Sequence, residues 1–421
     1  MHRAMPSITR LSIPLMLLSL TQQAAALSPI AELGNKLFHD PALSASGQQS
    51  CASCHSAQNA GMANNKLAVQ LGGVSLNAQD FRNVPTLMYS RFVPQPSTSA
   101  NGQPIGGLQL DGRAANLAAQ AVMPFLAPNE MANATSADVR QRLQQRPYLG
   151  EFQRLFGSAI LNDADATLQA IGKAIAAYEV EDPALQPFSS KFDAVQRSQA
   201  QFSAREANGW RLFNDPDKGN CLRCHSSSGT QTRPALFTNF SYHALALPRN
   251  WQIIYNRDDL PLPDFAPSNG LTLGAPGHRY YDLGACGPLR TDLASQTGQC
   301  GKFRVPTLRN VALKGAYGHN GVFADLFQVL DFYTTRDLQP ARWYRKADGV
   351  SPDLPYNDLP LQYQTQIARM PPFHFLPGRI ARLTTAEQRD IVAFLCTLTD
   401  GYEPGNPAAY RYPPQCQAAS Q

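Results

Sequence analysis

The chain has 421 residues, of which 43% are hydrophobic and 16% are charged. This length predicts two or three domains, and the apolar fraction is sufficient for buried cores. The formal charge of +5 is small for such a length, so it gives no indication of a nucleic-acid partner or of binding to an anionic membrane.

The N-terminus has the pattern of a secretory signal peptide. Arg3 and Arg10 precede the apolar run 11–20, and small residues lead up to Ala26. This pattern predicts a signal peptide at residues 1–26, cleaved after Ala26, and export to the periplasm. The apolar run is short for a bilayer span, and no later stretch is long and apolar enough, so we expect no transmembrane anchor. A retained N-terminal anchor is the alternative.

The sequence Cys-x-x-Cys-His occurs twice, and each copy predicts a covalently attached haem. The two cysteines can form thioethers with the vinyl groups of one haem, and the histidine can bind the iron. A zinc site or a redox dithiol is the alternative, but neither needs the adjacent histidine. The sequence therefore predicts two haem c groups, held by Cys51, Cys54 and His55 and by Cys221, Cys224 and His225.

The segments before the two motifs resemble each other. Residues 34–41 read GNKLFHDP and residues 209–216 read GWRLFNDP. Each predicts a helix that ends at a proline turn before a haem-binding loop. With a boundary in the polar stretch 181–205, we expect a mainly α-helical chain of two cytochrome c-like haem domains with long loops. The N-terminal domain would span 27–195 and the C-terminal domain 196–421.

Three helices are indicated by local patterns. Apolar residues fall on one face of a helix near 164–180, and the segment 323–333 has helical apolar spacing that includes Tyr333. Thr384 and Glu387 form a capping box before a third helix. No sustained strand alternation is present.

Four further cysteines favour disulfides in an exported chain. Cys286 with Cys300 and Cys396 with Cys416 are the expected pairs, because each closes a short local loop. Other pairings and free buried thiols remain compatible with the sequence.

Taken together, these segments resemble the bacterial dihaem cytochrome c peroxidase and MauG superfamily over nearly all of the mature chain. The matching motifs occur in the family's order: Ser50 through His55, Asn83-Val84-Pro85-Thr86, Asp111-Gly112-Arg113, Gln120, Pro124, Glu130-Met131, and Phe303 through Asn310. The resemblance implies that the N-terminal haem meets hydrogen peroxide and that the C-terminal haem handles electrons.

The resemblance assigns roles around the first haem. Glu130 matches the family's acid–base glutamate and Gln120 its hydrogen-bonding partner, whereas Glu130 alone would read as a solvated loop carboxylate. Many members cap this iron with a histidine, but the matching position here is Ser75, and no histidine lies between His55 and His225. We expect an iron with an open or water-bound position. Sulfur ligation is the alternative, although methionines more often fill cores: Met62, Met88, Met123, Met131.

Around the second haem, Tyr333 falls where the family places the distal iron ligand. Conventional peroxidases have methionine at this position and MauG-like members have tyrosine; without the family, Tyr333 would read as a core residue. A phenolate is a hard anionic donor that favours oxidised iron, whereas a thioether favours ferrous iron. We therefore expect oxidation of an external donor through the second haem rather than simple peroxide disposal.

The residue between the haems departs from the family, and the presence of an inter-haem calcium ion is left open by the sequence. Leu110 replaces the tryptophan that usually lies between the haems, unless Tyr89, Phe92 or Phe125 substitutes for it. An inter-haem calcium ion would be bound by the Asn83 side chain and by the carbonyls of two residues, with the Lys314 ammonium as a neighbour or a replacement. The carbonyls are those of Lys314 and Ala316. His319 is expected to be structural.

The sequence thus predicts a periplasmic dihaem oxidoreductase of MauG-like type. Peroxide would react at the His55 haem, and the His225/Tyr333 haem would oxidise a donor, with a protein side chain as one candidate. One alternative is a conventional peroxidase that takes electrons from a small cytochrome or cupredoxin. Another is a non-catalytic electron-transfer cytochrome, which the match at Glu130 and Gln120 disfavours.

Overall fold

A computed structural model describes residues 26–230, 234–260 and 280–420. The predicted signal peptide lies outside these ranges except for Ala26. Within them the fold is mainly α-helical, as expected, and no helix is long and apolar enough to cross a membrane. The helices are α1 (Pro29–Phe38), α2 (Cys51–Cys54), α3 (Leu117–Leu126), α4 (Ser136–Leu143), α5 (Leu149–Phe156), α6 (Ala164–Glu181), α7 (Lys191–Gln196), α8 (Ala204–Asn214), α9 (Leu326–Thr335), α10 (Pro340–Trp343), α11 (Thr385–Cys396) and α12 (Pro414–Ser420).

Sheet structure in the described ranges is restricted to short antiparallel ladders of two residues per strand. β1 pairs with β2, β3 with β4, and β5 with β6. The strands are β1 (Leu71–Gly72), β2 (Ala78–Gln79), β3 (Ser97–Thr98), β4 (Pro104–Ile105), β5 (Tyr242–His243) and β6 (Phe303–Arg304).

The N-terminal half is built on α6, against which α1, α3 and α4 pack. Its predicted apolar face is buried in one core with residues of α1 and α3, including Leu168, Ile171, Ile175, Leu33, Leu37 and Phe125. Gly34 permits the close crossing of α1 on α6, because a Cβ there would lie 1.9 Å from the carbonyl oxygen of Ala174. The repeat segment 34–41 therefore begins at a helix contact.

The C-terminal half repeats this arrangement with α8 and α11. A Cβ on Gly209 would lie 1.9 Å from the carbonyl oxygen of Asp390, so α8 also crosses its partner at a glycine. The predicted capping box is confirmed at the start of α11, where Thr384 and Glu387 bond reciprocally. Phe192, three residues before the expected boundary at 195, packs in the core of this half.

The helix that carries Tyr333 starts later than the apolar spacing predicts. It begins at Leu326, because the Asp325 carboxylate accepts the backbone N–H of Gln328 and caps it there. Phe323 lies before the helix, in a backbone bridge to Tyr317, so the prediction of a helix from 323 was wrong by one turn.

Both expected disulfides are present. Cys286 pairs with Cys300 across 14 residues, and Cys396 of α11 pairs with Cys416 of α12 across 20 residues. The four cysteines of the two Cys-x-x-Cys-His motifs are not disulfide-bonded.

Buried ion pairs join the two halves. Arg82 donates to both carboxylate oxygens of Asp282, at 2.6 and 2.7 Å, and lies 2.7 Å from a carboxylate oxygen of Asp111. A second buried pair lies within the C-terminal half, where Arg309 donates to both carboxylate oxygens of Asp193 at 2.8 Å. Since lost partners would leave buried charges uncompensated, the contacts of Arg82 fix the halves relative to each other.

Gly209→Ala is expected to lower the free energy of unfolding by about 1–3 kcal/mol, because the added methyl group must push α8 away from the α11 backbone. Denaturant unfolding followed by circular dichroism measures this difference. Gly150→Ala is the matched control: Gly150 is also helical, but its Cβ would meet nothing within 4 Å. Its stability should stay equal or rise by about 0.5–1 kcal/mol. Equal effects of the two substitutions would contradict the close crossing.

Candidate functional site

One continuous cavity connects the two Cys-x-x-Cys-His motifs. Its lining contains most of the predicted site residues of both motifs: Cys54, His55, Asn83, Gln120, Glu130, Cys221, Cys224, His225, Lys314 and Tyr333. Cys51 lines a narrow extension of the same region, which also contains Cys54 and His55. The fold therefore brings together residues that are more than 150 positions apart in the sequence.

Each motif forms a single tight turn. In α2 the backbone N–H of His55 donates to the carbonyl of Cys51 at 2.9 Å, and in the second motif His225 donates to Cys221 at 2.8 Å. The turn places two free thiols and an imidazole at the wall of one cavity. This donor set fits the thioether and iron bonds of a haem c.

In both motif histidines a backbone carbonyl binds Nδ1, and Nε2 is available as an iron ligand. Nδ1 of His55 lies 2.9 Å from the carbonyl of Gly61, and Nδ1 of His225 lies 3.0 Å from the carbonyl of Phe237. A carbonyl only accepts, so Nδ1 is the donor and Nε2 keeps its lone pair. Burial lowers the pKa of both imidazoles, that of His225 to about 4. Neutral rings with a free Nε2 suit iron ligation.

Glu130 and Gln120 lie together at the end of the cavity that contains His55. Gln120 is on α3, and Glu130 is in the turn that follows this helix. The carbonyl of Glu130 accepts the backbone N–H of Gly73 at 2.8 Å, which fixes the turn against β1. Burial, with a smaller contribution from the Asp80 charge, raises the pKa of Glu130 to about 8, and Arg113 opposes the shift.

Asp80 is a second carboxyl group in this pocket, and it was not predicted from the sequence. It lines the cavity and accepts hydrogen bonds from the backbone N–H of Phe81 at 2.6 Å and from the Asn129 side chain at 3.0 Å. Burial raises its pKa as well. Asn129 directly precedes Glu130, so one residue connects the two carboxyl groups. A single aspartate in a loop has no pattern that would identify it.

Glu179 of α6 is a third carboxyl group that sequence reasoning missed. Only 3% of it is exposed, its Oε2 has no hydrogen-bond partner among the described residues, and burial raises its pKa to about 8. It lines the narrow extension with Cys51 and Gln120. A signal was available, because Glu179 lies one turn after Ile175 on the buried face of α6.

Tyr333 lies at the other end of the cavity with His225. Its ring packs 4.7 Å from that of Phe373, and its hydroxyl has no hydrogen-bond partner in the part of the chain that the structure describes. Burial raises the pKa of the phenol, as do the thiols of Cys221 and Cys224. By contrast, the buried hydroxyl of Tyr344 in the same half donates to a carbonyl at 2.8 Å.

The other candidate ligands of the first iron differ in whether they line the cavity. Met62 and Met88 are buried and line the cavity, Met131 packs in the N-terminal core and lines the narrow extension, and Met123 lines neither. Ser75 is exposed in the turn between β1 and β2. It does not line the cavity.

The middle of the cavity contains Leu110 and several aromatic rings. Among the expected substitutes for a bridging tryptophan, Tyr89 lines the cavity, whereas Phe92 and Phe125 do not. Phe240 and Phe303 also line it, and Phe303 stacks on the imidazole of His319 at 3.8 Å: neither was singled out from the sequence.

The expected calcium ligands lie beside a buried ammonium group. The Oδ1 of Asn83 is buried without a partner, which fits a missing cation. However, Val84, which follows Asn83, accepts a hydrogen bond at its carbonyl from the buried ammonium of Lys314 at 2.7 Å. Burial lowers its pKa to about 8, so it is charged at neutral pH. A positive charge beside neutral ligands opposes the binding of Ca²⁺.

His319 contributes through its backbone and its ring. Its carbonyl accepts the N–H of Asn83 at 2.7 Å, and its ring lies against Phe303. Its Nε2 is 3.5 Å from a carboxylate oxygen of Asp358. These contacts place it as a support of the Asn83 loop.

Comparison with known proteins identifies the family. Residues 28–201 match the family described as di-haem cytochrome c peroxidase. The chain is 36% identical to the methylamine utilization protein MauG of Paracoccus denitrificans, over 89% of this chain and 90% of that protein. It is 28% identical to the cytochrome c551 peroxidase of Nitrosomonas europaea, over 76% and 77% of the two chains.

Solved structures agree with this result. The diheme peroxidase BthA of Burkholderia thailandensis superposes with a TM-score of 0.77 at 35% identity, covering 89% of this chain and 87% of that one. A MauG-like protein associated with microbial copper homeostasis has a TM-score of 0.57 at 26% identity, covering 89% and 91%. The chain therefore belongs to the dihaem cytochrome c peroxidase and MauG family of haem-dependent, peroxidase-type oxidoreductases.

Proposed function

We propose that this protein is a MauG-like enzyme that uses hydrogen peroxide at the His55 end of the cavity. An external donor would be oxidised through the His225 end, and a partner protein's side chain is the donor that we favour. The observation that supports this proposal is the hydroxyl of Tyr333, which lies at the wall of the cavity with His225 and lacks a protein partner. When bound, the two haems supply the redox-active iron.

At the first end, the chain's own groups can move protons. Reduction of hydrogen peroxide to two waters consumes two electrons from the donor and two protons. Glu130 has its pKa raised to about 8, so it can take a proton from one peroxide oxygen and return it to the leaving oxygen near neutral pH. Gln120 beside it can orient the peroxide by hydrogen bonding. Both side chains are half-buried.

At the second end, Tyr333 determines which oxidation state is favoured. Burial raises the pKa of its phenol, so the free side chain is neutral, and ligation to ferric iron would displace the proton. As a ligand, the Tyr333 phenolate would stabilise oxidised iron. A haem held by His225 and Tyr333 would be a poor relay for ordinary cytochrome electrons and a better oxidant for a donor at the surface.

The location that we propose is the periplasm. Two disulfides and two covalent haem motifs are typical of an oxidising compartment, and the sequence has a signal-peptide pattern at residues 1–26.

A conventional cytochrome c peroxidase is the second candidate. It is favoured by Leu222, an exposed apolar residue within the second haem motif, where 40% of the residue is accessible and a small redox protein could dock. Such an enzyme would need a high-potential second haem, which Tyr333 as a ligand would disfavour. The buried carboxyl groups of Asp80 and Glu130 disfavour a non-catalytic cytochrome.

Substitution of Tyr333 tests the proposed ligand. Low-temperature EPR of the resting ferric protein is expected to show one high-spin and one low-spin haem. Tyr333→Phe should change only the low-spin signal, and Tyr333→Met should raise the reduction potential of that haem, since sulfur favours ferrous iron. Tyr344→Phe removes a buried hydroxyl of the same half and should leave both signals unchanged. A low-spin signal that is identical in Tyr333→Phe would refute the assignment.

Substitution of Glu130 tests the proton-transfer group. Glu130→Gln keeps the shape of the side chain but cannot accept a proton, so the rate of reaction with peroxide should fall by about 10²–10⁴-fold. Stopped-flow spectroscopy of the haem bands measures this rate. The EPR signals of the resting protein should persist, which separates loss of catalysis from loss of haem.

Asp80→Asn should move the pH dependence of the same rate. The negative charge of Asp80 raises the pKa of Glu130, so its removal favours the Glu130 carboxylate and lowers that pKa. The rise in rate with pH should therefore occur at lower pH than in the wild type. Asp217→Asn, an exposed change in the C-terminal half, is the control. Coincident profiles for wild type and Asp80→Asn would show that the two carboxyl groups do not interact.

A further inference from the structure

Lys314 is a buried lysine at the wall of the cavity. Its ammonium donates to the carbonyl of Val84 at 2.7 Å, and it forms no ion pair within the ranges that the structure describes. A buried charge is costly unless it is paired or performs a task. The burial of the Lys314 ammonium therefore needs an explanation.

The ammonium lies where the two halves of the molecule meet. Lys314 follows the short turn Val311–Leu313 of the C-terminal half, yet its side chain reaches Val84 of the N-terminal half. The next residue fixes the backbone, because a Cβ on Gly315 would lie 2.1 Å from the carbonyl oxygen of Asn65. Lys314 also lines the cavity that contains His55.

The candidate calcium ligands at the junction of the halves are neutral oxygen atoms that receive no hydrogen bond within the part of the chain that the structure describes. The Oδ1 of Asn83 is buried without a partner, and the carbonyls of Lys314 and Ala316 receive no hydrogen bond from the described residues. These are the oxygens that would bind an inter-haem calcium ion.

We propose that the Lys314 ammonium takes the place of the divalent cation between the two haem pockets. It supplies a positive charge at the junction of the halves and holds Val84, and thereby the Asn83 loop, through a direct hydrogen bond. The haem-loaded protein then needs no calcium. The metal content can be measured whichever donor the enzyme oxidises, so failure of this proposal would leave the proposed function standing.

The test is the calcium content of the haem-loaded protein after equilibration with calcium and removal of free ions. Wild type should contain no stoichiometric calcium, and its haem EPR signals should be unchanged by a chelator. Lys314→Met removes the charge and frees the Val84 carbonyl, so this variant should gain one calcium ion per chain and become chelator-sensitive. Lys173→Met, at an exposed position of α6, is the matched control and should gain none.

Two further variants keep the test decisive. Lys314→Gln keeps an N–H donor for Val84 without the charge, and replaces Lys314→Met if that variant does not load haem; it should also gain calcium. Lys314→Arg keeps the charge and should stay free of calcium. Stoichiometric calcium in the wild type, with EPR signals that a chelator alters, would overturn the proposal. Charge-free variants that bind no calcium would overturn it too.

Discussion

The rest of the site depends on the ion pairs that the buried guanidinium of Arg82 forms. It joins Asp111 of the N-terminal half to Asp282 of the C-terminal half, and it lies over the ring of Phe303 at 5.3 Å. All three charged side chains are almost fully buried, so the loss of one would leave charges uncompensated at a cost of about 3–5 kcal/mol. The halves therefore cannot separate without breaking this network.

The same network positions the chemistry. Arg82 directly precedes Asn83 and follows Asp80 by two residues, so the segment that carries the second pocket carboxyl and the candidate cation ligand is fixed where the halves meet. Asp111 in turn lies on the segment that leads to α3 and Gln120. The environment of Glu130 follows from this packing, because burial contributes most to its raised pKa and Asp80 adds to it.

The two ends of the cavity place two equal motifs in different surroundings, on which the unequal roles that we propose depend. Both histidines are oriented in the same way, by a carbonyl that accepts from Nδ1. What differs is the wall of the cavity at each end: ionisable carboxyl groups beside the His55 pocket and a phenol beside the His225 pocket. A proton-transfer group is required where peroxide reacts, whereas a hard anionic ligand suits a site that stays oxidised. The asymmetry therefore depends on residues outside the motifs.

Local patterns predict the two haem attachment sites, and they correctly identified the helix cap at Thr384 and both disulfides, because each depends on residues within about one loop of each other. The family resemblance added Glu130, Gln120 and Tyr333, which no spacing alone would identify. Asp80 came only from the tertiary structure, and for Glu179 the sequence indicated only a position on the buried face of α6, since the raised pKa values of both depend on burial by distant segments. Apolar spacing predicts a helix from Phe323, but the cap at Asp325 starts α9 at Leu326. The residue type of Lys314 was visible in the sequence, but only folding places its charge at the junction of the halves.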